Sequence, residues 1–157
     1  MSGEGAPEIT VDGTGLTISI VAGQWHTEIS EGLLAGAHRV LAASGATVTE
    51  IRVPGSFELP VVAKAALDAG ADGVVALGVI IRGGTPHFEF VSDAATSGLT
   101  QVALLTGKPV GFGVLTLDDE QQGIDRAGFA GSKEDKGAEA AEAVLATAVL
   151  LRSIRGK

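Results

Sequence analysis

The sequence predicts an α/β domain, a three-layer α/β/α sandwich around a four-stranded parallel core sheet. Three observations carry that expectation. Short apolar runs of strand length alternate with longer segments whose apolar residues recur at helical spacing. Strand and helix alternating this regularly imply right-handed βαβ crossovers, and hence a parallel sheet covered on both faces. A composition with 45% hydrophobic residues, no tyrosine and one tryptophan describes an aliphatic core suited to close helix-on-sheet packing. It also suits an extensive interface between like subunits.

Each element follows in chain order. The acidic, Gly/Pro-rich start MSGEGAPEITVDG places residues 1–15 in a flexible N-terminal segment, ahead of a single domain over 16–157. Within that segment Ile9-Thr10-Val11 is a candidate N-terminal edge strand, in this subunit or a neighbouring one. LTISIVA (16–22), TVTEIRV (47–53), GVVALGVII (73–81) and PVGFGVLTL (109–117) read as strands buried on both faces. Between the first two, 27–43 sets Ile29, Leu33, Ala37, Val40 and Leu41 on one helical face, with Gly45 as C-cap. Segment 57–69 carries Leu59, Val62, Ala63, Ala66 and Leu67 and ends at Gly70. Segment 86–105 carries Phe90, Val91, Ala94, Ala95, Leu99, Val102 and Ala103 and ends before TGKP. A short helix over about 119–127, with Asp118 as N-cap, follows the fourth strand. The loop GFAGS then leads to a final helix over 134–154, striped by Val144, Leu145, Ala148 and Leu151. The strand order expected is flavodoxin-like.

At 157 residues the chain buries roughly 68–70% of its unfolded surface and needs no metal or disulfide staple. It has no cysteine, so disulfides, thiolate metal sites and a cysteine nucleophile are excluded, and a reducing cytoplasm fits. Eleven basic against nineteen acidic residues give a net charge of −8 with no basic stripe, which argues against nucleic acid and anionic membranes as partners. The N-terminus has neither the charged nor the apolar region of a signal peptide. Its longest apolar runs fall far short of the ~20 residues of a membrane span.

Ligands of open parallel sheets bind outside the carboxyl ends of the strands. The four strands here run into Gly23-Gln24-Trp25-His26, Pro54-Gly55-Ser56-Phe57-Glu58, Arg82-Gly83-Gly84-Thr85-Pro86-His87, and Asp118. The third of these carries the strongest signal. Gly83 and Gly84 let backbone N–H groups face outward, and Thr85 as N-cap with Pro86 at the first helical position adds the positive end of a helix; by itself the stretch reads either as an anion site or as an ordinary βα turn. His87 follows in the first turn, where a cation is disfavoured, so a neutral imidazole can accept and return a proton. Trp25 offers a flat indole face at the same rim. Ser56 can cap a helix, and Glu58 sits where a first-turn acid complements the helix dipole. His38 reads as surface and His26 as a polar helix start. Arg126, Lys133 and Lys136 by themselves read as a solvated loop. No His/carboxylate spacing suggests a metal.

Taken in this order, PGSFELP, ALGVIIRGGTPHFEFV, FGVLT, and DRAG followed by DKG resemble the lumazine synthase (6,7-dimethyl-8-ribityllumazine synthase) family of riboflavin biosynthesis, over nearly the whole chain after residue 15. The resemblance implies condensation of 5-amino-6-(D-ribitylamino)uracil with 3,4-dihydroxy-2-butanone 4-phosphate, without metal or redox cofactor, at sites between adjacent subunits of a homopentamer. It also implies the residue roles. Trp25 would stack on the pyrimidine, and Ser56 and Glu58, with Phe57 between them, would address the ribityl chain. The backbone of Val79, Ile80 and Ile81 would hold the ring edge. Gly83, Gly84 and Thr85, with Arg126, would hold the phosphate, and His87 would shuttle protons. Phe112 would close the pocket from a neighbouring subunit, and Lys136 would line its far side. Shell-forming members read like RAGTKAGNKG where this chain has RAGFAGSKEDKG, two residues longer, from Arg126 to Gly137. Pentamers rather than icosahedral shells are therefore expected. The rivals are a flavodoxin-like FMN-binding module and a non-catalytic lumazine carrier. The first would build its phosphate loop after the first strand, where this chain reads AGQWHTE.

Overall fold

A computed structural model describes residues 4–157. Its elements alternate as β1 (Thr17–Gly23), α1 (Thr27–Ser44), β2 (Thr47–Val53), a 3-10 turn (Ser56–Glu58), α2 (Leu59–Asp68), β3 (Gly73–Ile81), α3 (His87–Thr106), β4 (Val110–Leu117), α4 (Glu120–Ile124) and α5 (Lys136–Ile154). All strand pairs are parallel, in the order β2-β1-β3-β4. The chain thus steps one way from β1 to β2, then reverses across β1 to β3 and β4. With crossovers of one hand, reversing direction moves the connecting helix to the opposite face. α1 and, later, α5 pack on one face around Leu33, Leu41, Val144 and Leu145. α2 and α3 pack on the other around Leu59, Leu67, Leu99 and Val102.

Local chemistry explains several boundaries. α1 stops at Gly45, whose left-handed φ of 82° favours glycine. α1 and α5 touch closely because Gly137 has no side chain: a Cβ there would lie 2.0 Å from the Leu33 carbonyl oxygen. α5 is capped by Asp135, whose carboxylate accepts from the Ala138 N–H at 3.1 Å.

Three expectations need correction. β2 is not buried on both faces. It is an outer strand, as is β4, whose Phe112 and Thr116 are likewise exposed, and the exposed Glu50 and Arg52 of β2 pair with His38 at 2.7 Å and Glu31 at 2.7 Å on α1. An edge strand carries charge because its unpaired backbone would otherwise invite another strand. The N-cap of α4 is Asp119, whose side chain accepts from Gln122 N, rather than Asp118. Among the described residues Ile9-Thr10-Val11 forms no edge strand on the sheet of its own subunit, and lies along a small cleft with Val40 and Leu145. Of the segment 1–15, residues 1–3 lie outside the described residues.

Candidate functional site

The reversal of strand order opens a crevice between the carboxyl ends of β1 and β3. β1 pairs with β3 only as far as Ala22 opposite Leu77, whereas β3 continues beside β4 to Ile81 opposite Leu117. From Gly78 to Ile81, then, the β1-side edge of β3 has no ladder partner and can offer main-chain N–H and C=O groups to a ligand. Val79 and Ile80 bury their side chains in opposite cores, so main chain is what this stretch presents.

A cavity of about 630 Å³ occupies the crevice, a size that suits a small-molecule ligand. Trp25, Ser56, Phe57, Glu58, Val79, Ile80, Ile81, Gly83, Thr85 and His87 all line it, with Gly84 lying between two lining residues. Two glycines shape its wall. Gly55 leaves room for the Trp25 indole, since a Cβ there would sit 3.0 Å from the ring. Gly78 does the same for Ser56, whose hydroxyl would be 2.4 Å from an added Cβ. Trp25 is 66% exposed and so free to cover a flat ligand, while Ser56 is buried at the cavity base.

The loop after β3 stands clear of the body. A Cβ on Gly83 or Gly84 would meet nothing within 4 Å. Pro86, with φ −65°, occupies the N-cap of α3 and His87 its first position, one residue later than the sequence suggests. Thr85, one residue before the N-cap, makes no helix cap, though its hydroxyl accepts from the His87 N–H in a long local contact of 3.4 Å. His87 is therefore exposed at a helix N-terminus, beside backbone donors that have no intrahelical partner. Arg82 donates to Asp118 at 3.0 Å and to Glu89 at 2.5 Å. Those hydrogen bonds, to Asp118 first, raise the arginine's pKa, and the Arg82 hydrogen bond holds the Glu89 carboxyl below the usual range.

Sequence reasoning missed part of the wall. His26 lines the cavity with left-handed backbone at φ 56°, the one non-glycine residue of positive φ among those described. Such a conformation in a non-glycine residue often marks a functional site. Phe90, expected in the apolar stripe of α3, instead lines the cavity and is 73% exposed, while Phe88 and Val91 line it and also pack against the α2/α3 core. No periodicity could have shown this, because a phenylalanine on a helix face looks the same whether a sheet or a ligand covers it.

Phe112, Arg126 and Lys136 do not line the cavity of their own chain. Phe112 shares a face of β4 with Val110 and Val114 but is 48% exposed. Arg126 donates to the Gln122 carbonyl at 2.8 Å. Its own carbonyl accepts from the Lys136 N–H at 2.9 Å, which ties the two backbones together. Lys136 pairs with Glu139 at 2.8 Å and Glu134 at 2.9 Å. Burial opposes its charge, but these hydrogen bonds outweigh burial and raise its pKa. Among the described residues no group of three His, Asp or Glu side chains could hold a metal ion, and no helix is long and apolar enough to cross a membrane.

Residues 15–152 match the family described as 6,7-dimethyl-8-ribityllumazine synthase. Curated proteins bearing that description are similar over almost their full lengths. One from Clavibacter sepedonicus is 78% identical, covering 99% of both chains. One from Leifsonia xyli subsp. xyli is 73% identical over 99% of this chain and 100% of its own. A Streptomyces coelicolor protein is 56% identical over 98% and 97%.

Proposed function

The chain belongs to the 6,7-dimethyl-8-ribityllumazine synthase family, enzymes of riboflavin biosynthesis, and we propose that it works as those enzymes do, at the crevice between β1 and β3. The reaction joins 5-amino-6-(D-ribitylamino)uracil to 3,4-dihydroxy-2-butanone 4-phosphate and releases phosphate and water. The observation that carries this assignment is the gathering of Trp25, Ser56, Glu58, the unpaired edge of β3, the Gly83–Thr85 loop and His87 around one cavity.

Each part has a chemical task. The Trp25 face takes the pyrimidine ring, and the free edge at Val79, Ile80 and Ile81 matches the ring's own donors and acceptors. Ser56 and Glu58, with the Phe57 main chain between them, receive the ribityl hydroxyls. The glycine loop and the start of α3 hold the phosphate through backbone N–H groups. The aryl amine attacks the ketone to give an imine and water, phosphate leaves by elimination, and ring closure expels a second water. Every step moves protons and none needs a protein nucleophile. His87, first residue of the helix beside the phosphate seat, takes and returns them, contributing about 10²–10⁴-fold. Holding two substrates together supplies much of the remainder.

Phe112, Arg126 and Lys136 complete this site from a neighbouring subunit of a homopentamer. Support for that reading lies in the exposed apolar side chains Phe57, Val61, Phe90, Leu104 and Leu105 on the α2/α3 side, since extensive exposed apolar surface marks interaction sites. The longer 126–137 loop folds onto its own subunit. Phe129 packs against the α1/α5 core and Ser132 donates to the Ile124 carbonyl. Pentamers rather than shells follow. A cytoplasmic location fits the cysteine-free composition.

Mixing the two substrates should generate the lumazine chromophore, and His87→Ala should slow its appearance about 10²–10⁴-fold while the aminouracil still binds. Unchanged turnover in His87→Ala would remove the assignment. Light scattering should give five chain masses; a megadalton particle would overturn the pentamer.

A further inference from the structure

Arg82 lies outside every role assigned above, yet it joins more of the rim than any neighbouring side chain. Its N–H completes the β3–β4 ladder by donating to the Leu117 carbonyl at 2.8 Å. Its Nε reaches Asp118, just past β4, and its Nη1 reaches Glu89, two residues into α3 beyond His87. The guanidinium also lies 4.3 Å from the centre of the Phe88 ring, a cation–π contact. Between Arg82 and His87 the loop has little to locate it. A Cβ on either of its glycines would meet nothing within 4 Å, and the Thr85–His87 hydrogen bond is long at 3.4 Å.

We propose that Arg82 is the positioning residue of this site. It anchors the first turn of α3, and His87 with it, to the ends of β3 and β4, and it neutralises the two carboxylates flanking the phosphate seat. The inference rests on the assignment of Gly83–Thr85 and His87 made above. Two physical effects are separable in it. The charge of Arg82 offsets Glu89 and Asp118, which would otherwise repel an arriving dianion. The planar fork, engaging two carboxylates at once, sets direction as well as distance, which a lysine cannot do. The side chain is 46% exposed, and exposed pairs add little to global stability. The signature is therefore in ligand affinity and turnover, with the melting temperature nearly unchanged.

The test is a set of variants read by calorimetric titration with inorganic phosphate and by steady-state kinetics. Arg82→Ala should weaken phosphate roughly three- to tenfold, raise KM for the butanone phosphate and lower kcat. Arg82→Lys should restore phosphate affinity, because the charge returns, but not kcat, because the fork does not. Glu89→Gln should do the opposite of Arg82→Ala on affinity, tightening phosphate, while still lowering kcat. That variant keeps the test open if Arg82→Ala does not fold. The difference in phosphate affinity between wild type and Arg82→Ala should shrink in 1 M salt, where the Debye length is about 3 Å. If Arg82→Ala or Glu89→Gln leaves affinity and kcat as they were while His87→Ala still slows turnover, Arg82 has no positioning role. If the unaltered protein binds no phosphate and His87→Ala turns over normally, the site assignment itself has failed.

Discussion

The two helical layers of this chain are finished to different degrees. The α1/α5 layer is closed where its helices meet: Ile29, Leu33 and Leu41 have no exposed surface, Gly137 brings the helices into backbone contact, and its exposed large apolar side chains, Val149, Leu150 and Ile154, lie in the last turns of α5. The α2/α3 layer covers the sheet equally well but leaves large apolar side chains outside, with Leu104 at 79% and Leu105 at 75% exposure. The cavity opens on this second side, beside Phe57 and Phe90. Where a chain completes its own packing it is stable and inert. Where it leaves apolar surface and backbone edges unmatched, it is prepared for something that arrives later, a substrate or another subunit.

Substitutions can sharpen that contrast or break it. The largest stability effect is expected in the closed layer. Leu33→Ala should cost about 2–5 kcal/mol in denaturant unfolding, since it empties a fully buried site, whereas Leu104→Ser should cost the isolated chain little and instead weaken self-association. Equal losses from the two would show that the open layer is no less self-sufficient. Next in size is a matched pair of glycines. Gly137→Ala drives a methyl group onto the Leu33 carbonyl and should cost about 1–3 kcal/mol by overpacking. Gly84→Ala points its methyl into open space, so melting should hardly move while phosphate affinity falls.

The smallest effect is a difference in sign. Burial first, then the charges of Glu139 and Asp135, raise the pKa of Glu142 on α5 above its ordinary 4.5. Its folded state favours the protonated form, so that stability is present below the unfolded pKa and is lost as pH rises through the folded value. Glu142→Gln should therefore raise Tm slightly at pH 7 and leave it alone at pH 4. Glu89, in the open layer, behaves oppositely. Arg82 lowers its pKa, its contribution is present above the unfolded value and disappears as pH falls through the folded one, and Glu89→Gln should lower Tm slightly at pH 7. Shifts of the same direction in both variants at pH 7 would remove the electrostatic difference between the layers.

Much of this was legible in the chain. All four core strands and the three long helices α1, α3 and α5 lie within a residue or two of where periodicity puts them, because a run buried in a sheet or a helix striped on one side leaves a local pattern. The rim residues Trp25, Ser56, Glu58, Gly83, Thr85 and His87 were legible for a related reason, since each follows directly on a strand end. Phe90 was not, as a ligand-facing ring and a core ring share one helical pattern. Nor was the exposure of β2, because TVTEIRV pairs on one side only once β1 has been placed between it and β3.

What the sequence determined by itself was local: the alternation of periods, the glycine loop after β3, and a histidine at a helix start. The tertiary structure alone decided which strand ends converge, that β3 outruns β1 to leave an open edge, that Phe112, Arg126 and Lys136 stand apart from the cavity, and that Arg82 meets Asp118 across 36 residues. The reason is physical. Period and propensity act over a few residues, whereas the neighbours of a strand in a sheet are chosen by how the crossovers pack, and contacts made by that choice leave no mark on the adjacent sequence.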